Sequence, residues 1–396
     1  MRQVTSSELE LATADAACAA GSSAAVEIEA PGRLSYARFG AGDPLPGMGE
    51  RTRDMARCSV DAFAGRYLLL CFYGSAADLQ GRAALTAAIP HRNKFDGVRA
   101  AFFGVSIDPG DETEVRVANS YPGVRFLWDF DYTVSRACGA LPREAANLSV
   151  LRRCWITVDP TLHVLKVFPF TANGDYAQVF AFLDSLPPPA QYGGIEIPAP
   201  VLLLPNVFER ELCARLIDLY EAAGGIEIGV ARDSNTNVVD PTFKRRRDYT
   251  IADQDLIRHV QIRITRRVFP EILKLFFMRL TRMERYIVGC YAAEDGAHFM
   301  PHRDNGPGLT AHRRFAISIN LNDGFEGGEV IFPEYNPKGY KAPPGWAVVF
   351  PCAILHAVAE VTKGRRYAFL PFVYDEAGRR IRDENLRAAG SDSPGT

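Results

Sequence analysis

Two histidines and one aspartate in the C-terminal half have the residue types and order of a metal site. His302-Arg303-Asp304 places an imidazole and a carboxylate two residues apart, and His356 follows at the end of a later predicted strand. Two imidazoles and one carboxylate can hold Fe(II) on one face and leave three coordination positions open. Open positions on Fe(II) predict oxygen chemistry in this half of the chain.

The spacing of these residues supports a single site. On a strand, residues i and i+2 face the same side, so His302 and Asp304 are expected to reach one metal ion. Arg366 follows His356 by ten positions, where a planar guanidinium suits bidentate pairing with a dicarboxylate co-substrate. Its neighbour Arg365 is expected to point to the opposite face. An HxD pair is common by chance, so the prediction depends on all four residues occurring in this order.

Short strands punctuated by Gly and Pro surround these residues and predict an antiparallel double-sheet jelly roll. The strand signals from Tyr286 onward are YIVGCY, FAISINL, GEVIFPEY, GWAVVFP and YAFLPFVY. Upstream, apolar residues recur every four positions from Leu256 to Val268 and predict a helix that ends before Pro270. Asn206-x-x-Glu209 resembles a capping box that opens a helix over 209–223. We expect the charged run Lys244–Asp248 to be a solvated loop, with a substrate-facing Arg as the minority alternative.

The N-terminal half alternates strands and helices, which predicts an α/β layer fold. Strands are predicted at 66–73, 98–108 and 124–128, a hairpin at 154–168, and helices at 78–89, 112–120 and 176–186. The Pro- and Gly-rich segment LPPPAQYGGIEIPAP separates the two halves. The predicted organisation is a flexible arm at 1–30, an α/β domain at 31–188, a linker at 189–200, the jelly roll at 201–380, and a tail at 381–396.

Composition excludes several classes of protein. The chain has 396 residues, 47% hydrophobic residues, 23% charged residues and a net charge of -2, which argues against nucleic-acid binding by bulk charge. It has no stretch of about eighteen apolar residues, so no membrane span is expected. The cysteines form no CxxC pair and several lie in apolar runs, as in a reduced, cytoplasmic protein. They are Cys18, Cys58, Cys71, Cys138, Cys154, Cys213, Cys290 and Cys352.

Residues from about 200 to 380 resemble the Fe(II)/2-oxoglutarate-dependent dioxygenases of the prolyl 4-hydroxylase-like group. The resemblance lies in YIVGCYAAEDGAHFMPHRDN, RRFAISINLNDGFEGGEVIFPEY and PPGWAVVFPCAILHAVAEVTKGRRYAFLPF. It implies a double-stranded β-helix, Fe(II), 2-oxoglutarate and O2. It also implies oxidative decarboxylation to succinate and CO2, with hydroxylation of a C–H bond in an amino-acid, peptidyl or other small-molecule substrate.

The same resemblance implies roles for single residues. His302, Asp304 and His356 would hold iron, and Arg366 would pair with the distal carboxylate of 2-oxoglutarate. Three further residues lie where the family places polar groups around the co-substrate or share a strand face with them, although sheet or turn polarity explains them nearly as well. They are Tyr291, Ser318 and Asn320.

Residues from about 40 to 188 resemble the peroxiredoxin group of the thioredoxin-like fold, through GDPLPG, SVDAFAGRYLLLCFYG, FFGVSIDPGDE, WDFDYTVSRACGAL and RRCWITVDPTLHVLKVF. In that family a Pro-x-x-x-Thr-x-x-Cys loop carries the peroxide-reducing Cys. By register, Gly74, Asp78 and Gly81 replace Pro, Thr and Cys here, whereas Arg153 matches the family's Arg. The resemblance therefore implies a domain that has the fold without the peroxidase chemistry.

Three hypotheses follow from these observations. The first is a 2-oxoglutarate-dependent hydroxylase with a redox-inactive thioredoxin-like domain. The second is a thiol peroxidase that uses an unusual cysteine, Cys58 or Cys138. The third is a non-catalytic scaffold. Under the first hypothesis, the N-terminal domain packs against the jelly roll or joins two chains as a homodimer.

Overall fold

A computed structural model of the chain describes residues 34–52, 58–144, 147–227, 230–232, 236–238, 240–306 and 308–391. The predicted arm at 1–30 lies outside the described residues. Within the described part of the chain, no helix is both long and apolar enough to cross a membrane.

The N-terminal half contains a five-stranded mixed sheet and a separate pair of short strands. Its strands are β1 Gly49–Glu50, β2 Cys58–Ser59, β3 Tyr67–Gly74, β4 Ala100–Ser106, β5 Val124–Trp128, β6 Cys154–Val158 and β7 Val164–Pro169. Its helices are α1 Leu79–Ala88, α2 Gly110–Thr113, α3 Thr133–Ala137 and α4 Ala177–Ser185. The main sheet has the order β5-β4-β3-β6-β7, in which β3, β4 and β5 are parallel and β6 and β7 antiparallel to their neighbours.

Strand β3 is the centre of this sheet, and every residue in its sequence YLLLCFYG is buried. Alternate side chains enter two separate apolar cores, one on each face of the sheet. A strand covered on both faces is continuously apolar, which explains the unbroken run of hydrophobic residues. The predicted α/β thioredoxin-like fold of this half is confirmed.

The C-terminal half begins with β8 and combines strands with α-helices. The strands are β8 Leu202–Leu204, β9 Ile226–Glu227, β10 Val230–Arg232, β11 Thr236–Val238, β12 Arg247–Thr250, β13 Arg282–Glu284, β14 Ile287–Ala292, β15 Phe299–His302, β16 Phe315–Asn320, β17 Phe325–Gly327, β18 Val330–Phe332, β19 Asn336–Tyr340, β20 Ala347–Pro351, β21 His356–Val358, β22 Val361–Phe369 and β23 Phe372–Tyr374. The helices are α5 Arg210–Ala223, α6 Gln254–Arg267, α7 Phe269–Phe276 and α8 Glu376–Ser391.

Two antiparallel sheets of this half form the predicted jelly roll. The larger sheet follows the order β13-β23-β16-β22-β14-β12-β9, and β20 pairs with both β16 and β8. The smaller sheet has the order β15-β21-β18-β19. Apolar residues of α5 and α6 at i and i+4 spacing share a core with the larger sheet, including Leu212, Leu216, Leu256, Val260 and Ile264. The helices therefore cover one face of the larger sheet.

Two local predictions differ from the structure. The helix expected at 112–120 is the single turn α2, which ends because Val115 adopts a positive φ of 55°. The capping box is wrong: Glu209 is itself the N-cap residue of α5, with no capping bond from its side chain. Its carboxylate instead binds Arg263 at 2.6 Å and Arg267 at 2.5 Å in α6.

The segments predicted as linker and tail have more structure than expected. The side chain of Asn336 donates a hydrogen bond to the backbone oxygen of Ile197, which ties the end of the linker to β19. Residues 381–391 of the predicted tail lie in α8. Asn385 in that helix donates to the oxygen of Gly308 at 2.6 Å, so α8 contacts the loop that follows the HxD motif.

Candidate metal centre

The smaller sheet brings the two histidines of the predicted metal site together. His302 is the last residue of β15 and His356 the first of β21, and the two are direct cross-strand partners. Asp304 was expected on the same strand, but it lies two residues beyond the end of β15. Its backbone N–H donates to the oxygen of Cys352 at 3.0 Å. This bond, rather than strand alternation, turns its carboxylate toward the histidines.

The three side chains have the geometry of one metal site. Nε2 of His356 is 3.1 Å from Oδ2 of Asp304, and Nε2 of His302 is 3.6 Å from Oδ1. One ligand atom from each of the three residues lies within 4.8 Å of the other two. A single ion can therefore contact all three, and the donor set of two nitrogens and one oxygen suits Fe(II).

Backbone carbonyl groups fix the orientation of both imidazoles. Nδ1 of His302 is 2.7 Å from the oxygen of Met300, and Nδ1 of His356 is 3.1 Å from the oxygen of Ile354. When Nδ1–H donates to a carbonyl, the lone pair of Nε2 is free to bind a metal. In both rings that lone pair faces the carboxylate of Asp304.

Burial and charge favour the protonation states that bind metal. Burial lowers the pKa of His302, and the nearby His356 lowers it further, so the imidazole is neutral. Burial acts to raise the pKa of Asp304, but His356 and His302 together hold it well below its usual range. Asp304 is therefore a carboxylate, the form that ligates a cation.

Arg366 lies in β22 and is almost fully buried, at 1% exposure. Its Nε donates to Oδ1 of Asn320 at 2.9 Å, and its Nη2 donates to Oγ of Ser318 at 2.8 Å. Its third nitrogen, Nη1, has no hydrogen-bond partner among the described residues. Buried polar groups are almost always satisfied, so the free N–H groups of Nη1 mark a place for an acceptor from a ligand.

The side chains around Arg366 hold it in place. Asn320 donates through Nδ2 to the oxygen of Ala342 at 2.7 Å, which fixes the amide that accepts from Arg366. The buried ring of Tyr291 lies 5.3 Å from Cζ of Arg366. Tyr291, Ser318 and Arg366 line the same cleft as the three candidate metal ligands, whereas Asn320 supports Arg366 from behind. The neighbouring Arg365 faces the other way, half exposed and paired with Glu294.

Apolar side chains form much of the remaining wall of the cleft. They are Phe299, Val330, Phe350, Val358, Leu370 and Phe372. An apolar wall excludes water and strengthens the electrostatic interactions inside the cleft.

A group of charges lies on the same cleft, where the sequence analysis gave a substrate-facing Arg of the run Lys244–Asp248 only as the minority alternative. Arg246 binds Asp248 through two contacts, Nε to Oδ1 at 2.6 Å and Nη2 to Oδ2 at 2.8 Å. Arg246 also donates to the hydroxyl of Tyr291 at 3.1 Å. Nη2 of Arg285 lies 3.4 Å from Asp248, and Arg246 and Arg285 both line the cleft.

The run Lys244–Asp248 is therefore not the solvated loop that was expected. Lys244, Arg246 and Asp248 are buried, whereas Arg245 and Arg247 between them are exposed. This alternation has the period of an extended chain with one inward face. The signal in the sequence was the two-residue spacing of Lys244, Arg246 and Asp248, which leads into β12. Burial lowers the pKa of Lys244 to about 7, an effect that Arg246 increases.

In the N-terminal half, the position matching the peroxiredoxin cysteine is closed. A Cβ atom at Gly81 would lie 2.0 Å from the backbone oxygen of Ser75, far inside van der Waals contact. Asp78 caps helix α1 by accepting from the backbone N–H groups of Gln80 and Gly81. Its other carboxylate oxygen accepts from Nη2 of Arg153 at 2.8 Å. The arginine that would face a thiolate is thus neutralised by Asp78.

The described cysteines of this half are all buried, and burial raises the pKa of each thiol. They are Cys58, Cys71, Cys138 and Cys154. Cys58 and Cys138, the candidates of the peroxidase hypothesis, are 2% and 4% exposed. A reactive cysteine needs an accessible thiolate of low pKa, so the surroundings of these cysteines do not favour that hypothesis. Cys18 lies outside the described residues.

Comparison with known proteins shows which family the residues around this site resemble. Residues 286–374 match the 2OG-Fe(II) oxygenase superfamily. A PKHD-type hydroxylase of Paraburkholderia phymatum is 34% identical over 104 residues, which cover 24% of this chain and 44% of the relative. The chain spans about half the length of the curated relatives it matches.

Two solved structures are similar to parts of the chain. A prolyl hydroxylase from Trichoplax adhaerens, in complex with a hypoxia inducible factor peptide fragment, has a TM-score of 0.36 and 16% identity. It covers 46% of this chain and 86% of its own. The peroxidoxin BcpB from Mycobacterium tuberculosis has a TM-score of 0.32 and 19% identity, covering 38% of this chain and 99% of its own.

Proposed function

We propose that this protein is an Fe(II)- and 2-oxoglutarate-dependent dioxygenase that hydroxylates a C–H bond and releases succinate and CO2. The observation that carries the proposal is the free Nη1 of Arg366, buried on the same cleft as His302, Asp304 and His356. A metal triad alone fits several metals, whereas a triad beside a buried, partly unsatisfied guanidinium fits a metal that is used together with a carboxylate ligand.

The residues present fit the iron. His302 and His356 offer Nε2 lone pairs, and Asp304 offers a carboxylate oxygen, all directed to one point. Three protein ligands leave positions open for 2-oxoglutarate and O2. Bound Fe(II) supplies O2 activation coupled to the decarboxylation of 2-oxoglutarate.

The residues around Arg366 fit the distal carboxylate of 2-oxoglutarate. Ser318 and Asn320 occupy two of the three guanidinium nitrogens and fix the plane of the group. Nη1 is then the donor directed to the carboxylate, with the hydroxyl of Tyr291 on the same cleft. Because Arg366 is buried, its charge is little screened and its ion pair with a carboxylate is strong.

Arg246 and Arg285 are the remaining cationic groups of the cleft. Both pair with the carboxylate of Asp248, which also lies 3.8 Å from Nζ of Lys244, so positive charge exceeds negative charge in this group. We propose that they contact the primary substrate, an amino acid, a peptide or another small molecule, through its carboxylate or carbonyl oxygens. The apolar walls would hold the part of the substrate that carries the reactive C–H bond and keep water out.

Succinate formation tests the proposed activity. The purified chain should produce succinate from 2-oxoglutarate with Fe(II) and O2, at a slow rate without substrate and faster with a suitable one. Mass spectrometry of candidate amino acids and peptides should then find a product heavier by one oxygen atom. Absence of succinate from iron-loaded protein across a broad substrate panel would reject the proposal.

A further inference from the structure

The two segments that carry the metal ligands also contact the N-terminal half. Leu355, directly before His356, is 1% exposed and belongs to the apolar core on one face of the N-terminal sheet. That core is otherwise made of residues of the N-terminal half, such as Val60, Leu68 and Leu70. Because consecutive residues of an extended chain face opposite sides, His356 points to the metal site while Leu355 points into the other half.

Arg303 makes a similar contact with the N-terminal half from the segment that carries His302 and Asp304. It stands between the ligands His302 and Asp304, and its guanidinium points away from them. One nitrogen, Nη1, donates to the backbone oxygen of Ala353, and another, Nη2, donates to the carboxylate of Glu334. Nε lies 3.9 Å from Oδ2 of Asp61 in the N-terminal half.

Glu334 joins these two contacts. One of its oxygens accepts from Arg303, and the other accepts from the backbone N–H of Leu355 at 3.0 Å. Glu334 is 9% exposed, so water has little access to its side chain. Through Glu334, the segment that carries Asp304 is linked to the backbone directly before His356.

The backbone of the N-terminal half also lies close to the chain directly before Glu334. Gly65 of the N-terminal half has a φ of +84°, and a Cβ atom at this position would lie 2.7 Å from the backbone oxygen of Pro333. Only glycine permits both the conformation and the approach. The N-terminal half therefore contacts the chain at Pro333, next to the carboxylate that links the ligand segments.

The ladder between β15 and β21 gives the ligands little support by itself. Phe299↔Val358 and His302↔His356 are the registered pairs, and the register shifts between them. Asp304 lies outside both strands. The geometry of the metal site thus depends on contacts made from the opposite side of these segments.

We infer that the N-terminal half is a positioning element of the metal site, acting through Asp61 on Arg303 and through its apolar core on Leu355. This inference rests on the proposed function, because it concerns the metal site that the function needs. It gives a domain without peroxidase residues a role in the chemistry of the other half, and neither Leu355 nor Asp61 touches the metal itself.

Binding of Co(II) to the full-length chain tests the inference without any turnover. Co(II) absorbs visible light when bound by nitrogen and oxygen ligands, so its spectrum reports the coordination geometry. Leu355→Ala should weaken Co(II) binding about tenfold and change the spectrum, as loss of groups that orient metal ligands does. Leu355→Met, which conserves volume, should restore both. The matched control is Leu183→Ala, which removes a leucine from the core on the other face of the N-terminal sheet.

The comparison of Leu355→Ala with its control decides the inference. Co(II) affinity and spectrum equal to those of Leu183→Ala would overturn it. If Leu355→Ala does not fold, Asp61→Asn is used in its place. Its control is Asp184→Asn, which removes the carboxylate paired with Lys94. Co(II) affinity and spectrum equal in these two variants would also overturn the inference. His302→Ala separates the two proposals: retained Co(II) binding in that variant rejects the metal site itself, whereas its loss leaves the proposed function standing whatever Leu355 shows.

Discussion

Arg153 in the N-terminal half and Arg366 in the C-terminal half both occupy positions where a relative of their fold would use a cation, but their surroundings differ. Arg153 donates to the oxygen of Tyr73 at 3.1 Å, to Gln80 at 3.2 Å and to Asp78 at 2.8 Å, so each of its nitrogens has a protein partner. Arg366 uses two of its nitrogens in this way, and its third has no partner in the part of the chain that the structure describes. A cation that the protein satisfies completely supports the fold, whereas a buried donor left free indicates a ligand.

The backbone around Arg153 is consistent with this difference. Gly74 stands where peroxiredoxins have proline, and its φ of +83° is one that proline cannot adopt. Gly81 stands where they have cysteine, and it has no space for a side chain. The loop of this half thus follows a path that excludes a proline at position 74 and leaves no space for a side chain at position 81.

The largest expected effect is that of His302→Ala. Loss of one of three ligands should abolish Fe(II) binding and, with it, decarboxylation of 2-oxoglutarate. The matched control is His298→Ala, because His298 contacts the backbone oxygens of Gly296 and Thr242 outside the cleft. Metal content and succinate formation measure the effect. Undiminished succinate formation by His302→Ala would show that His302 is not a ligand of the catalytic metal.

Arg366→Ala should have the next largest effect. It should weaken 2-oxoglutarate binding by about 2–4 kcal/mol, because a buried carboxylate loses its charged partner. Iron affinity should change little, since Arg366 is not a metal ligand. Calorimetry under anaerobic conditions measures both quantities. The control is Arg365→Ala, on the exposed face of the same strand, which should bind 2-oxoglutarate normally. Weak binding by Arg365→Ala together with normal binding by Arg366→Ala would mean that Arg365 pairs with the carboxylate.

Gly81→Cys tests whether the N-terminal half can regain its chemistry. The new Cβ would lie 2.0 Å from the oxygen of Ser75, so the chain must shift, at an expected cost of about 1–3 kcal/mol in the free energy of unfolding. Gly40→Cys, with open space around Gly40, should cost less. Urea denaturation measures the difference. Peroxide reduction should not appear in Gly81→Cys, because Asp78 still neutralises Arg153.

Substitution of the native cysteines should have the smallest effect on catalysis. Cys71 lies inside β3 with 0% exposure, and burial raises the pKa of its thiol. Cys71→Ser should lower stability by about 1–3 kcal/mol through its buried hydroxyl and leave the rate of succinate formation unchanged. The same rate is expected for single Ser variants at Cys58, Cys138 and Cys154. Rapid peroxide consumption by iron-free protein, lost in one of these variants, would contradict the comparison between the two halves.

The parts of the site that sequence predicted are those whose residues have fixed spacing and rare types. The HxD pair, the distal histidine and Arg366 have this property, and the structure brings all four to one cleft. The parts that sequence missed depend on tertiary contacts. Arg246 and Lys244 belong to a run of charges that resembles a solvated loop, and they are buried because Asp248 and Tyr291 provide partners.

The same distinction applies to the fold. Continuous apolar strands such as β3 and four-residue periodicity in α6 predicted elements that the structure contains. The capping box failed because Glu209 has stronger partners in α6 than the backbone N–H groups of its own helix. Asp304 reached the expected place by another route, through a backbone bond to Cys352 rather than along a strand. Local patterns therefore predicted which elements form, but not the long-range bonds that complete them.

The pairing of His302 with His356 also limits how this protein can change during evolution. A residue inserted or deleted within β15 or β21 would shift the register by one and turn one imidazole to the opposite face of the sheet. The loop between Asp304 and β16 lies outside both strands, so a change in its length would not shift the register of β15 and β21. Related sequences should therefore differ in length within that loop and keep constant length within the two strands.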